Sequence, residues 1–152
     1  IIIEDIVHPS LFVDGANSSV EIGDTYAGGI VFFILPDIGF RTSFNGLIAA
    51  PADLDYTDWE DAIQRCNDYT DGTYSDWFLP SKDELNEMFL IIGQGKAQNG
   101  LGLGNIGGFA DGFYWSSTET DNSGAWVQNF DDGYQNYLSK GTNVSVRAVR
   151  AF

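Results

Sequence analysis

A histidine at position 8, a cysteine at position 66 and a dense scatter of carboxylates are the side chains of this 152-residue sequence that could do acid–base, nucleophilic or metal chemistry. His8 is the only histidine and has no cysteine companions, so neither a cysteine-based zinc cage nor a Ser/His/Asp relay assembles around it. Cys66 is the only cysteine, which removes an intrachain disulfide. Its helical spacing from Trp59 and Ala62 makes it a small core residue rather than a nucleophile. A glycan hydrolase needs two carboxylates about 5 to 9.5 Å apart across a cleft, and no such pair can be named from the order of residues. Asp53, Asp55 and Asp58, or Asp131 and Asp132 with Glu119 and Asp121, would offer oxygens to calcium, without the spacing of an EF-hand. Residues 102–107 spell G-x-G-x-x-G, but a dinucleotide fingerprint must leave a strand and open a helix. Here a polar stretch precedes it and a strand-like run follows. The chain is therefore expected to be no enzyme and to carry no cofactor, calcium being the one ion its acids would suit.

Composition narrows the partners. Twenty-two acids against seven bases leave a formal charge of −15, which repels nucleic acid and anionic membrane surfaces. No run approaches the ~18 apolar residues of a membrane span, so no membrane insertion is expected. With 43% hydrophobic and 14% aromatic residues the chain can build one ordinary core. It opens on Ile1, and its only methionine is Met88, so a preceding segment is expected.

Elements must then position whatever binds. Residues 1–22, with turn signals at Pro9-Ser10 and Asp14-Gly15, read as an extended arm, and residues 23–152 as the domain. The apolar run Ile30–Leu35 predicts a buried strand, and Gly46–Ala50, stopped by Pro51, its hairpin partner. Thr57-x-x-Glu60 and Ser81-x-x-Glu84 each spell a capping box, predicting two helices. Trp59, Ala62, Ile63, Cys66 and Tyr69 form the inner stripe of the first, and Leu85, Met88, Phe89 and Ile92 that of the second, which stops at Gly93. Eight of the twenty residues from 93 to 112 are glycine. That stretch reads as a loop pinned by Leu101, Leu103, Ile106 and Phe109. Three strand-like runs close the chain, at 112–118, 125–130 and 144–152. In the last of these Arg147 and Arg150 interrupt an apolar strand and are expected to pair with acids.

Several of these segments carry a recognisable set of motifs. Trp59 with Ala62 and Cys66, the run Ser75-Asp-Trp-Phe-Leu-Pro-Ser-Lys-Asp-Glu-Leu85, Tyr114-Trp-Ser-Ser-Thr118, Trp126, Phe130 and Val146-Arg-Ala-Val-Arg150 resemble the bacterial domains typified by the C-terminal domain of the Legionella collagen-like adhesin. The resemblance runs from about Gly23 to Phe152. It implies an α+β, C-type-lectin-like fold: two helices packed on a small twisted antiparallel sheet with long loops. Trp77, Leu79 and Trp115 would then be scaffold residues. The resemblance further implies an extracellular place at a cell or virion surface, in an adhesin or phage fibre, often as a homotrimer. Related lectin-like proteins are also targets of diversity-generating retroelements. No Glu-Pro-Asn or Gln-Pro-Asp triplet of calcium-dependent sugar lectins is present. Formylglycine-generating enzymes share this architecture but need a reactive cysteine pair, which one inward-facing cysteine does not supply.

Binding thus leads, to a glycan or a cell-surface protein receptor. The expected surface is Glu119, Asp121, Asn122, Ser123, Gln128, Asp131, Asp132, Tyr134, Gln135, Asn136, Tyr137, Ser139 and Asn143, a mixture of Tyr, Asn, Ser and acids suited to an adaptable binding face. Trp126 and Phe130 are read toward one side of their strand and Gln128 toward the other. Tyr134 and Tyr137 are read as a pair of flat rings for sugars or protein hot spots. The alternative is a fibre-tip cap without its own ligand, in which the apolar arm 1–13 nucleates a trimer.

Overall fold

In the computed structural model, residues 12–13, 19–35, 45–95 and 103–152 are described. The N-terminal arm before Phe12, the turn between the first two long strands and Leu101 lie outside them. The architecture is α+β. A short ladder joins β1 (Phe12–Val13) to β2 (Ser19–Val20). The core includes Val20 and Ile22.

A four-stranded antiparallel sheet has the order β11-β5-β4-β3, with β3 at Thr25–Tyr26, β4 at Gly29–Ile34, β5 at Gly46–Ala49 and β11 at Val149–Ala151. The apolar run read as a buried strand is β4, and β5 is its antiparallel partner. Val31 and Phe32 are fully buried, as expected of a strand covered on both faces. A five-stranded sheet has the order β6-β10-β7-β8-β9. Its strands are β6 (Asp55–Thr57), β7 (Phe113–Glu119), β8 (Gly124–Asn129), β9 (Gln135–Ser139) and β10 (Val144–Val146). Only the β10–β7 pairing is parallel.

The chain passes between the sheets twice, side by side, from β5 to β6 and from β10 to β11. The C-terminal run expected as one strand is therefore two, broken at Arg147-Ala148 where it leaves one sheet for the other. β9 was not anticipated as a strand because Gln-Asn-Tyr-Leu-Ser is too polar for an apolar alternation. It is an edge strand, and its pairing with β8 holds it.

Helix α1 spans Trp59–Asp68 and α2 Lys82–Ile92. Ser81 and Glu84 form the expected capping box of α2, with both reciprocal bonds, at 3.2 and 2.8 Å. The first box is displaced by one residue. Thr57 ends β6, and Asp58 is the cap, its carboxylate accepting from the Asp61 amide at 3.0 Å. Asp competes well with Thr for this position, so the Thr57-x-x-Glu60 spelling is incidental. Trp59, Ala62 and Cys66 are buried on α1, and Leu85, Met88, Phe89 and Ile92 on α2, as their spacing predicts. Trp77, Leu79 and Trp115 are also buried.

The motif segments are stitched directly to one another. The Ser117 amide donates to the Pro80 carbonyl at 2.7 Å, and the Thr118 hydroxyl accepts from the Lys82 amide at 2.9 Å. The Trp59 indole donates to the Ser116 carbonyl, and the Trp115 indole to the Thr57 carbonyl, both at 2.9 Å. Phe78 bridges Val149 on the outer side of β11. Each buried indole thus finds an acceptor, as buried polar groups must.

Candidate functional site

Arg147 and Arg150 are buried at 1% and 6% exposure, and each holds an acid, as expected. Arg147 Nε donates to Asp53 Oδ1 at 2.8 Å, Nη1 to the carbonyls of Ala50 and Gly107 at 3.0 and 2.7 Å, and Nη2 to the Gly108 carbonyl at 3.5 Å. The guanidinium also lies over the Phe109 ring, 4.2 Å from its centroid. It joins the two inter-sheet crossings and ties the glycine-rich loop to both. The loop is pinned, then, by Arg147 and the buried Phe109, with Leu103 half-buried and Ile106 at the surface. Asp53 also accepts from the Tyr114 hydroxyl at 2.7 Å. Burial, and then that carboxylate, push the Tyr114 phenol well above its ordinary pKa. Arg150 forks onto Asp76, at 2.7 and 3.2 Å, and stacks on Tyr74. Both arginines serve the scaffold.

The acids that might have gathered around calcium have separate tasks. Asp53 holds Arg147, Asp55 holds Arg65 at 3.2 Å, and Asp58 caps α1. Asp131 and Asp132 sit beyond the end of β8 where β9 begins, whereas Glu119 and Asp121 sit at the other end of the same strands. Six residues of β8 separate the two groups, about 20 Å at the usual rise. Among the described residues no group of three or more His, Cys, Asp or Glu side chains is placed to hold a metal ion. His8 lies outside them. Cys66 is fully buried and burial alone pushes its thiol up to about 12, so the core reading of this residue holds.

The thirteen expected binding residues divide the same way. At the β7–β8 turn, the Asp121 carboxylate accepts from the Ser123 amide and hydroxyl and the Gly124 amide, at 2.8, 2.9 and 3.0 Å. These bonds hold its pKa below the ordinary value, the Ser123 amide most of all. Lys140 reaches Glu119 at 2.7 Å and the Asn122 carbonyl at 3.2 Å, with its ammonium over the Trp59 ring. Glu119 and the Asn122 carbonyl therefore hold Lys140, while Asp121 closes the turn through Ser123 and Gly124. Asn143 is exposed in the turn before β10. At the opposite end Asp131 and Asp132 are exposed, and Asp132 accepts from the Tyr134 amide at 2.9 Å. Gly133 turns the chain there with φ of 84°, and a Cβ on it would run into the Phe89 ring.

Gln128 does not belong to this surface. It is 1% exposed, and its amide nitrogen donates to Asn86 of α2 at 2.9 Å and to the Gly133 carbonyl at 3.1 Å. Positions two apart on a strand share a face, so Gln128 faces the same way as Trp126 and Phe130. All three meet α2: Trp126 under Lys82, Gln128 against Asn86, Phe130 against Phe89. Its Oε1 has no partner among the described residues. Tyr134 and Tyr137 are each 60% exposed but lie three positions apart. On an extended ribbon that places them on opposite parities, not as one pair.

What remains exposed is the side of β9 that shares its face with Trp126. Tyr137, opposite Trp126 in the ladder, meets its ring edge-on at 6.0 Å, and Lys82 stands 3.6 Å from the centroid of the same indole. Gln135, opposite Gln128, and Ser139 share the Tyr137 parity. Asn136 has the other parity. Lys82 and Asn86 were not among the expected residues. The signal was available, since Lys82, Asn86 and Phe89 fall at i, i+4 and i+7 on one stripe of α2. A separate shallow hollow beside α1, lined by Leu54, Asp61, Gln64, Arg65, Asp68 and Tyr69, includes none of the expected residues.

No described helix is long and apolar enough to cross a membrane. The family model described as the Lcl C-terminal domain matches residues 41–150, and no curated protein matches the chain.

Proposed function

The chain belongs to the Lcl C-terminal domain family, an adhesin-associated family, and from that premise we propose that it is a non-catalytic recognition domain of C-type-lectin-like fold. In this reading it is displayed at a cell or virion surface, at the end of an adhesin or phage fibre, and binds a glycan or a cell-surface protein receptor. The observation that carries it is an exposed Tyr137 ring set edge-on to Trp126, with the Lys82 ammonium over that indole. A flat ring at a surface, braced by a second aromatic, gives contact area to a sugar face or a receptor side chain at low entropic cost. Gln135 and Ser139 flank it with groups that can both donate and accept. Exchange of exposed side chains on β9 would leave the ladder to β8 intact, which also suits a surface diversified by a retroelement.

The test is an array of glycans and cell-surface receptors probed with the purified domain, with and without chelator. We expect binding that survives chelation and is lost in Tyr137→Ala, while the thermal midpoint of that variant stays with the parent. Binding abolished by chelator would transfer the site to the acids. Binding indifferent to Tyr137→Ala would remove this face of β9 as the site.

A further inference from the structure

Both edge strands of the five-stranded sheet carry the same local device. On β9, Lys140 donates to the Ser123 carbonyl and Asn129 to the Tyr134 carbonyl, so the even-numbered residues of β9 bond to β8 and the Tyr137 amide points away from the sheet. That amide donates at 2.8 Å to the side-chain oxygen of the residue just before it, Asn136. On β6 the register leads to the same place. Phe130 bonds to the Gly112 carbonyl, so residue 114 of β7 faces β8 while 113 and 115 face β10 and engage Ser145. Val144 and Val146 are left to bond Thr57 and Asp55, and the Tyr56 amide points outward. It donates at 2.7 Å to the carboxylate of the preceding Asp55, whose other oxygen is held by Arg65 at 3.2 Å.

An outward amide on an edge strand is a template for another chain, and an exposed aromatic beside it strengthens the invitation through cross-strand pairing. Tyr56 and Tyr137 are 66% and 60% exposed. The other sheet blunts its edges by different means. Phe78 exchanges backbone bonds of 2.8 and 2.9 Å with Val149 along β11, and β3 is two residues long. We infer that Asp55 and Asn136 are edge guards: each occupies the central outward amide of its strand and so prevents a second copy of this chain from adding its own edge strand to the sheet. Two guards are needed because the sheet has two such edges. Opening one permits a closed, two-fold pairing of like edges, whereas opening both permits head-to-tail growth without closure.

The experiment is light scattering after size exclusion, over rising concentration, on Asn136→Val, Asp55→Val, the double variant and the parent. Asn136→Asp keeps the acceptor. Ser139→Val raises strand propensity on the same edge while leaving the guard in place. The expected result is a weight-average mass that climbs about twofold over the parent for Asn136→Val and keeps climbing for the double variant. Asn136→Asp and Ser139→Val should track the parent. Should valine at 136 disturb folding by circular dichroism, Asn136→Ala asks the same question. Folded guard variants with the parent's mass at every concentration overturn the inference. So does a Ser139→Val shift equal to that of Asn136→Val, which would make hydrophobicity the cause.

Discussion

Arg147, in the crossing from β10 to β11, and Tyr137, on the edge strand β9, both lie in the chain's last third and are bound in opposite ways. Arg147, 1% exposed, joins residues 50–53, the loop at 107–108 and the β10–β11 crossing into one knot. Tyr137, 60% exposed, gives its amide to the residue before it and its ring to the strand beside it. One region is held by groups that are far apart in sequence, so a change in any of them is felt by all. The other is held by backbone pairing with β8 and by side chains within its own turns, so its exposed groups are free to vary. This is the division of labour that the proposed recognition role would require: a seam that fixes the fold and a ribbon that presents chemistry.

The sharpest way to break the comparison is at Arg147. Arg147→Met takes the guanidinium from the Asp53 carboxylate, 29% exposed and still bonded by the Tyr114 hydroxyl, and from three carbonyls. Removing one partner of a buried ion pair costs about 3–5 kcal/mol, and denaturant unfolding should show a loss at the lower end of that range. Amide exchange at residues 103–112 should accelerate in step. A loss under about 1 kcal/mol, within the range of surface changes and weak single contacts, would mean that the knot is not what holds the crossings together.

Gln128 tests whether the division follows the strand or the face. It lies on β8 among the ribbon residues, yet its amide bonds Asn86 and Gly133 in the interior. Gln128→Ala should cost about 1–3 kcal/mol, the usual penalty for leaving buried polar partners unsatisfied. Gln135→Ala, opposite it on the half-exposed edge strand, should stay within about 0.5 kcal/mol. Equal effects at the two positions would mean that burial does not separate seam from ribbon.

Helix caps come next in size and show how far the seam could be read from residue order. Ser81→Ala should cost about 1 kcal/mol by thermal or chemical unfolding, and Asp58→Ala about the same. Thr57→Ala, which the capping-box spelling singles out, should cost less than either. The second cap was legible because nothing else near Ser81 competes for the role. The first was not, because Asp58 follows Thr57 directly and only the dihedral angles of the turn decide between them. The buried strand β4, the inner faces of both helices and the motif tryptophans were likewise legible, since apolar periodicity and burial go together. β6 and β9 were not, because an edge strand owes its state to its neighbour. Arg147 and Arg150 could be seen to need acids, but not which ones: Asp53 and Asp76 lie far away along the chain, and meet them only where the two crossings run side by side and where Phe78 pairs with Val149 of β11. In the site, residue type suggested a surface, but type could not reveal that Gln128 faces α2 or that the two acidic turns lie at opposite ends of β8.

The smallest effect on stability carries the most information about function. Tyr137→Ala and Tyr134→Ala each remove an exposed ring, and each should change unfolding by no more than about 0.5 kcal/mol. Their effects on binding should differ. Tyr137 stands against Trp126, the indole that also carries Lys82, so its loss should reduce binding by at least about tenfold, the range expected when a central aromatic anchor is truncated. Tyr134 has the opposite parity at the turn end of the ribbon, and its variant should bind within about twofold of the parent, as a rim contact does. If both variants lose binding alike, the ligand wraps the edge of β9 and touches both faces. If only Tyr134→Ala loses it, the recognition face is the one turned away from α2. A change in affinity confined to Tyr137, with both variants equally stable, makes the ribbon a surface of two unlike sides, only one of which reads a partner.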